Sequence, residues 1–291
     1  MDTIKYQLNA RRQPYGQGAD LSLLNESVGN EVLAFHQKFP DYRVTPLRKL
    51  EFLSQRLGLG SIHIKDEAQR FGLNAFKGLG GSYAMGKYLA ALLERDINTL
   101  SFAELNSPVI KARIKDIVFV TATDGNHGRG VAWAAEQLGL RAVVYMPKGS
   151  SPVRAQNIRR HGAECTITEL NYDDTVRLAA KTAREQGWVL LQDTAWQGYE
   201  QIPTWIMQGY MTLAVEIWQQ LAESGAPMPT HLFLQAGVGS LPVASWDISS
   251  KRCSSRLPPS SSLSRTRRTA CIARQPLMTD CRTASAGICQ L

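Results

Sequence analysis

Cysteine is nearly missing from the first 241 residues: Cys165 stands alone there, and Cys253, Cys271, Cys281 and Cys289 all follow Pro242. A body with one cysteine cannot carry a disulfide framework. Long apolar runs are missing too, and none approaches the roughly 20 residues of a membrane-spanning helix. Met1 to Gly16 is polar and lacks the charged-then-apolar layout of a secretory leader. These absences predict a cytoplasmic protein with no membrane partner. Acidic residues are scarce at one end only. From Pro242 onward eight Lys/Arg face two Asp/Glu, so the tail holds most of the formal net charge of +8. The body is close to neutral, which argues against nucleic acid as its partner.

What is present is a regular alternation. Ile117–Thr121 reads as an apolar, β-branched strand, and Val131, Ala134, Ala135 and Leu138 fall on one face of a following helix. Arg141–Met146 predicts a strand, Val153–Arg160 a helix and Ala163–Thr168 a strand. Asp173 or Asp174 is placed to cap a helix running through Ala183 and closed by Gly187, ahead of a strand at Trp188–Leu191. A longer helix is expected after Pro203, with Met207, Tyr210, Met211, Ala214, Ile217, Trp218 and Leu221 at helical spacing. His231–Gln235 reads as a strand running into Gly237-Val238-Gly239-Ser240. Repeated βα units predict an α/β fold with a mainly parallel sheet.

Two glycine-rich segments carry the chemistry. In Asn74-Ala-Phe-Lys77-Gly-Leu-Gly-Gly-Ser82 a single lysine precedes a glycine cluster. The apolar approach would desolvate the amine and favour its neutral, nucleophilic form, and such an amine can form a Schiff base with an aldehyde cofactor. In Thr123-Asp124-Gly125-Asn126-His127-Gly128 a strand turns into a helix, where backbone N–H groups converge on a polar or anionic ligand. Most lysines are merely solvated, an Asp in such a turn can be a helix cap, and His127 is read as packed and structural rather than catalytic. Asp193 ends a predicted strand, where ligands of open α/β sheets gather. A nicotinamide-type G-x-G-x-x-G would need glycine where Pro242 stands, so that reading fails.

Taken together these segments resemble the lysine and asparagine loops of the fold type II pyridoxal-phosphate enzymes and, among them, the diaminopropionate ammonia-lyase family. The resemblance runs from about Phe35 to Leu241 and includes Thr45-Pro46-Leu47, Tyr172–Leu178 and Ile202–Tyr210. It implies pyridoxal 5'-phosphate as cofactor, with Lys77 as the Schiff-base residue and Asn126 bonded to the ring hydroxyl oxygen. Gly237, Val238, Gly239 and Ser240 would bind the phosphate, although Pro242 departs from the family's alanine and glycines. Asp124 stands where serine and threonine dehydratases have a small hydroxyl residue, and implies a base on the face opposite Lys77. Asp193 becomes a substrate-side carboxylate. The reaction implied is α,β-elimination of 2,3-diaminopropionate, a small amino-acid substrate, to pyruvate and ammonia, with no metal, in a homodimer. The family fold is a large parallel-sheet domain (1–87 and 200–241 here) with a smaller inserted βα domain (88–199). Competing readings are a serine/threonine dehydratase, a basic nucleic-acid-binding protein and an inactive fragment lacking the C-terminal part of the large domain.

After Leu241 the periodicity fails. Residues 242–291, with Ser254–Ser262 rich in serine and proline and Arg265-Thr-Arg-Arg268 strongly basic, have no sustained period of 2 or 3.6. Codons allowed for Val243–Arg252, read from their third nucleotide, give Gly-Val-Leu-Gly-Tyr-Leu-Val-Glu-Ala, a helix-like run after a glycine loop. A second sensible segment arises in the same frame from Leu263–Arg274. The expectation is a frameshifted, poorly packed tail.

Overall fold

The computed structural model describes residues 22–229, 231–235 and 238–245. A single 3₁₀ turn, Ser22–Leu24, leads into α1, Glu26–Gln37, whose first turn is closed by the Asn25 side chain accepting from Val28 N at 3.0 Å. Two short strands, β1 (Leu47–Lys49) and β2 (His63–Lys65), pair antiparallel around α2 (Glu51–Arg56). A kinked 3₁₀ segment, Glu67–Gly72, then delivers the chain to α3, Lys77–Leu92. The glycine cluster after Lys77 is therefore not a loop. Gly78, Gly80 and Gly81 lie inside the first turns of α3 and are buried.

Short helices α4 (Phe102–Leu105) and α5 (Pro108–Ile114) precede the βα unit. This unit comprises β3 (Val118–Ala122), α6 (Asn126–Leu138), β4 (Arg141–Met146), α7 (Pro152–Arg159), β5 (Glu164–Ile167), α8 (Tyr172–Gln186) and β6 (Val189–Leu190). The strands form one wholly parallel sheet in the order β5-β4-β3-β6. Every residue of β3 is buried, as a central strand covered on both faces requires. Phe119, Val144 and Met146 join the main core with α6, while Val118, Val120, Ala122 and Val143 pack with Ala179 and Ala183 of α8. The cap of α8 is Asn171, which accepts from Asp174 N at 2.9 Å, not Asp173 or Asp174. Those two aspartates occupy the first turn, where they meet the positive end of the helix dipole.

The helix expected after Pro203 divides into α9 (Gln201–Gly209) and α10 (Met211–Glu223), with Tyr210 at the junction. The break adjoins a close contact at Gly209. A Cβ there would lie 2.5 Å from Leu79 O of α3, so the two helices touch backbone to backbone at that point. On the other side of α3, a Cβ on Gly130 of α6 would lie 2.8 Å from Gly78 N. The start of α3, and with it Lys77, is thus clamped between α6 and α9.

Beneath this clamp lies a buried ionic network. Arg70, 1% exposed, donates to Glu67 Oε2 (2.8 Å) and through both terminal nitrogens to Glu216 (2.8 and 2.7 Å). Lys65 Nζ is 2.6 Å from Glu216 Oε2, and Tyr42 OH donates to Glu216 Oε1 at 2.7 Å. It ties β2, the 3₁₀ segment and α10 together.

Residues 231–235 carry no strand, because no described segment offers a ladder to pair with. Residues 240–245 are helical, with Leu241, Pro242, Ala244 and Ser245 buried, so helix continues four residues past Leu241. Pro242 sits in the first turn, where its missing N–H has no partner to lose. The rest of the expected tail, 246–291, lies outside the described residues. Among the described residues no helix is long and apolar enough to cross a membrane.

Candidate active site

Lys77 is the first residue of α3, and its side chain lies against the C-terminal end of the parallel sheet. Its Nζ is 2.9 Å from Asp193 Oδ2, just beyond β6, and lies 5.4 Å from the centre of the Tyr210 ring and 5.7 Å from that of Phe76. Burial opposes the charge on Lys77, but Tyr210 and the Asp193 carboxylate outweigh it and raise its pKa. Tyr210 is itself pushed up to about 12 by burial and is un-ionised near neutrality, so Asp193 is the effective anion. The expected neutral amine is corrected by this finding: here Lys77 is an ammonium held by a carboxylate. Burial would raise the Asp193 pKa, yet His127 and Lys77 hold it below the usual value. Lys77 carries the charge in that pair of neighbours, because burial also lowers the His127 pKa.

Thr123 organises the turn between β3 and α6. Its Oγ1 accepts from Gly125 N (2.9 Å) and Gly128 N (3.0 Å), which does the capping that an Asp124 side chain would otherwise do. Gly125, at φ 153°, adopts a backbone conformation that side chains disfavour. Asp124 and Asn126 are left exposed, with neither side chain hydrogen-bonded among the described residues. The Asp124 carbonyl accepts from Arg154 at 3.1 Å, which fixes the outer side of the turn.

The segment after β6 is pinned through Gln192, whose Oε1 accepts from Ala122 N (3.0 Å) and Thr121 (3.1 Å). Its Nε2 donates to Tyr172 OH at 3.3 Å. Burial first, and then the negative field of Asp193, raise the Tyr172 pKa. Thr123, Tyr172, Gln192 and Tyr210 are neighbours of the site to which the sequence reading gave no role in it. Tyr172 could have been found from its place at the N-terminus of a helix that follows a strand; Tyr210 gave no signal beyond helical spacing.

Lys77, Asp193, His127 and the turn holding Asp124 and Asn126 thus meet at one end of the sheet. Val238 and Gly239 (φ 89°) precede the helical turn that Ser240 opens, and Gly237 lies outside the described residues. Three buried polar atoms around Lys77 and Asp193 have no hydrogen-bond partner: His127 Nδ1, Thr194 Oγ1 and Tyr210 OH. Buried polar atoms are rarely left so, and together with a lysine nucleophile they fit a polar, carbonyl-bearing cofactor with an amino-acid ligand.

The profile of the pyridoxal-phosphate dependent enzyme family matches residues 38–261. The chain belongs to this family. As members of it with similar sequences, diaminopropionate ammonia-lyase of Salmonella typhimurium is 77% identical over 239 residues and that of Escherichia coli K12 48% over 241. These alignments cover 82% and 83% of this chain but 59% of each relative, so the chain spans about three fifths of their length. A crystal structure of the E. coli enzyme in complex with an aminoacrylate-PLP azomethine reaction intermediate superposes with a TM-score of 0.74 at 48% identity, covering 81% of this chain and 58% of that one. The fold is therefore that of a fold type II pyridoxal-phosphate enzyme, and its cofactor is pyridoxal 5'-phosphate.

Proposed function

We propose that this site eliminates ammonia from 2,3-diaminopropionate, giving pyruvate and a second ammonia. The observation that carries this reading is the Lys77 Nζ–Asp193 Oδ2 pair at 2.9 Å at the C-terminal end of the sheet, the same end at which the turn before α6 leaves Asp124 exposed. Pyridoxal phosphate, when bound, supplies the electron sink for the pair released at Cα. Lys77 is the residue that links to it. Asn126 would bond the ring hydroxyl oxygen, and Gly237, Val238, Gly239 and Ser240 the phosphate. Lys77 Nζ takes the α-proton of the L-isomer and the Asp124 carboxylate that of the D-isomer, from opposite faces. To accept a proton Lys77 must be uncharged, so its ion pair with Asp193 is given up during the reaction. Asp193 then faces the substrate.

The same reading divides the chain into a large domain from 1–87 and 200–241 and an inserted βα domain from 88–199, with a cytoplasmic homodimer as the working form. It also takes the tail as frameshifted. The family profile extends to residue 261 and draws no border at Pro242, so the coding DNA is the test. An open displaced frame after Ser240 supports the frameshift, and early stop codons in it refute it.

Ammonia release from both isomers by the full chain loaded with pyridoxal phosphate tests the activity. Asp124→Asn is expected to suppress the D-isomer by about 10²–10⁴-fold and to leave the L-isomer far less affected. Equal losses would reduce Asp124 to a structural role, and faster turnover of threonine than of diaminopropionate would favour a dehydratase.

A further inference from the structure

We infer that His127 Nδ1 and the Asp193 carboxylate together form the receptor for the second ammonium group of a diamino acid, which makes His127 a specificity-determining residue. This inference rests on the proposed activity and names the part of the site that would select its substrate.

The argument begins with the tautomer. His127 Nε2 lies 2.8 Å from Leu191 O. A carbonyl oxygen only accepts, so Nε2 carries the hydrogen. The ring is 5% exposed, and burial together with the Lys77 ammonium opposes a second proton despite the attraction of Asp193. Nδ1 is then a bare lone pair. It is buried without a partner and points toward Asp193, whose Oδ2 is 3.8 Å away, too far for a hydrogen bond and unable to donate one.

Two acceptors, Asp193 Oδ2 and His127 Nδ1, therefore face one another, and Lys77 serves the first, while the other carboxylate oxygen accepts from Gln192 Nε2 at 3.4 Å. When Lys77 is engaged with cofactor and substrate, Asp193 loses that cation and both acceptors are open. A buried carboxylate left alone is costly, and a lone pair beside it adds to the demand for a donor. An ammonium supplies positive charge and up to three N–H donors, enough for Asp193 Oδ2 and His127 Nδ1 at once. A serine or threonine hydroxyl supplies one O–H and no charge, so it satisfies one acceptor and leaves the anion uncompensated. Such a site rejects substrates lacking the complementary group. His127 holds this position because its other nitrogen is anchored on the backbone between β6 and Asp193, and its own backbone lies in the first turn of α6.

The test reads binding without turnover. The full chain carrying Lys77→Ala, loaded with pyridoxal phosphate, leaves the L-isomer of the substrate intact, and that isomer is the one used. His127→Gln is then added: its amide can still bond Leu191 O, but nothing replaces Nδ1. Calorimetry should show 2,3-diaminopropionate binding weakened by about 10- to 100-fold, as expected for loss of one charge-assisted hydrogen bond, with alanine and serine changed less than about twofold. Equal weakening of all three ligands, or of none, overturns the receptor. Nitrogen-15 NMR of the unsubstituted histidine-labelled chain provides a readout that does not depend on the variant folding. His127 should be protonated at Nε2 only, and its Nδ1 resonance should move with diaminopropionate and not with alanine. A proton on Nδ1, or the same response to both ligands, overturns the proposal. Selective binding without ammonia release by the unsubstituted chain would remove the activity and leave the receptor standing. Ammonia release with selectivity unchanged by His127→Gln would do the reverse.

Discussion

Two buried charged regions lie within this chain, and they are built in opposite ways. Around Arg70 and Glu216 every charge is answered: two cations, two carboxylates, the Tyr42 phenol and Thr45 close into one network. Around Lys77 and Asp193 one ion pair is surrounded by orphans, namely His127 Nδ1, Thr194 Oγ1 and Tyr210 OH. The first region has nothing left to offer a ligand and holds the approach to α3 in place. The second is incomplete as it stands, and its missing partners define what should enter. Buried histidines show the same contrast. His36 uses both nitrogens, on Thr212 Oγ1 (2.7 Å) and Leu79 O (3.0 Å), whereas His127 uses one.

Removing one member from each region is the strongest way to break the comparison. Glu216→Gln leaves Arg70 and Lys65 buried beside a neutral amide and should cost about 3–5 kcal/mol in urea unfolding. Asp193→Asn leaves the Lys77 ammonium, 21% exposed, beside a neutral amide, and should cost less, about 1–3 kcal/mol. Equal losses would mean that the site is as structural as the network. Next in size is the clamp between them: Gly209→Ala forces α9 away from α3 and should cost about 1–3 kcal/mol, read from the same unfolding midpoint. The smallest effect sharpens the histidine contrast. Burial first, and then the Arg70 charge, lower the His36 pKa from 6.5 to about 3. The unfolded chain therefore binds the extra proton between those values, so stability is full above pH 6.5 and falls as the pH drops toward 3. Between pH 7.5 and 5.5 the loss is about 1 kcal/mol, and His36→Asn should flatten that part of the urea profile.

Local pattern told most where the chain makes local bonds. β3, α6, β4 and α7 fall within a few residues of their expected places because apolar period and a closing glycine are written in consecutive residues. Lys77, Asp124, Asn126 and Asp193 could be named for the same reason, since each stands in a short motif at a strand or helix end. The parts that escaped depend on distant partners. Nothing near Arg70 announces Glu216, which joins it from α10, and nothing near Tyr210 announces the Lys77 ammonium. The charge on Lys77 was misjudged because its apolar approach is visible in sequence and the Asp193 contact is not. The glycines after it resemble the family's lysine loop, and glycine is a poor helix former, but the close backbone approach of α6 and α9 suits a helix that keeps them.

Those glycines have a consequence in terms of heredity. Every glycine codon begins with two guanines, and any change at either specifies a residue bearing a Cβ, or a stop. At Gly130 that carbon would press on the peptide between Lys77 and Gly78, and at Gly209 on the Leu79 carbonyl, both rigid backbone rather than yielding side chain. Neither codon has a harmless missense neighbour. Single-nucleotide variants of this gene would therefore register damage to the Lys77 position at residues that belong to other helices.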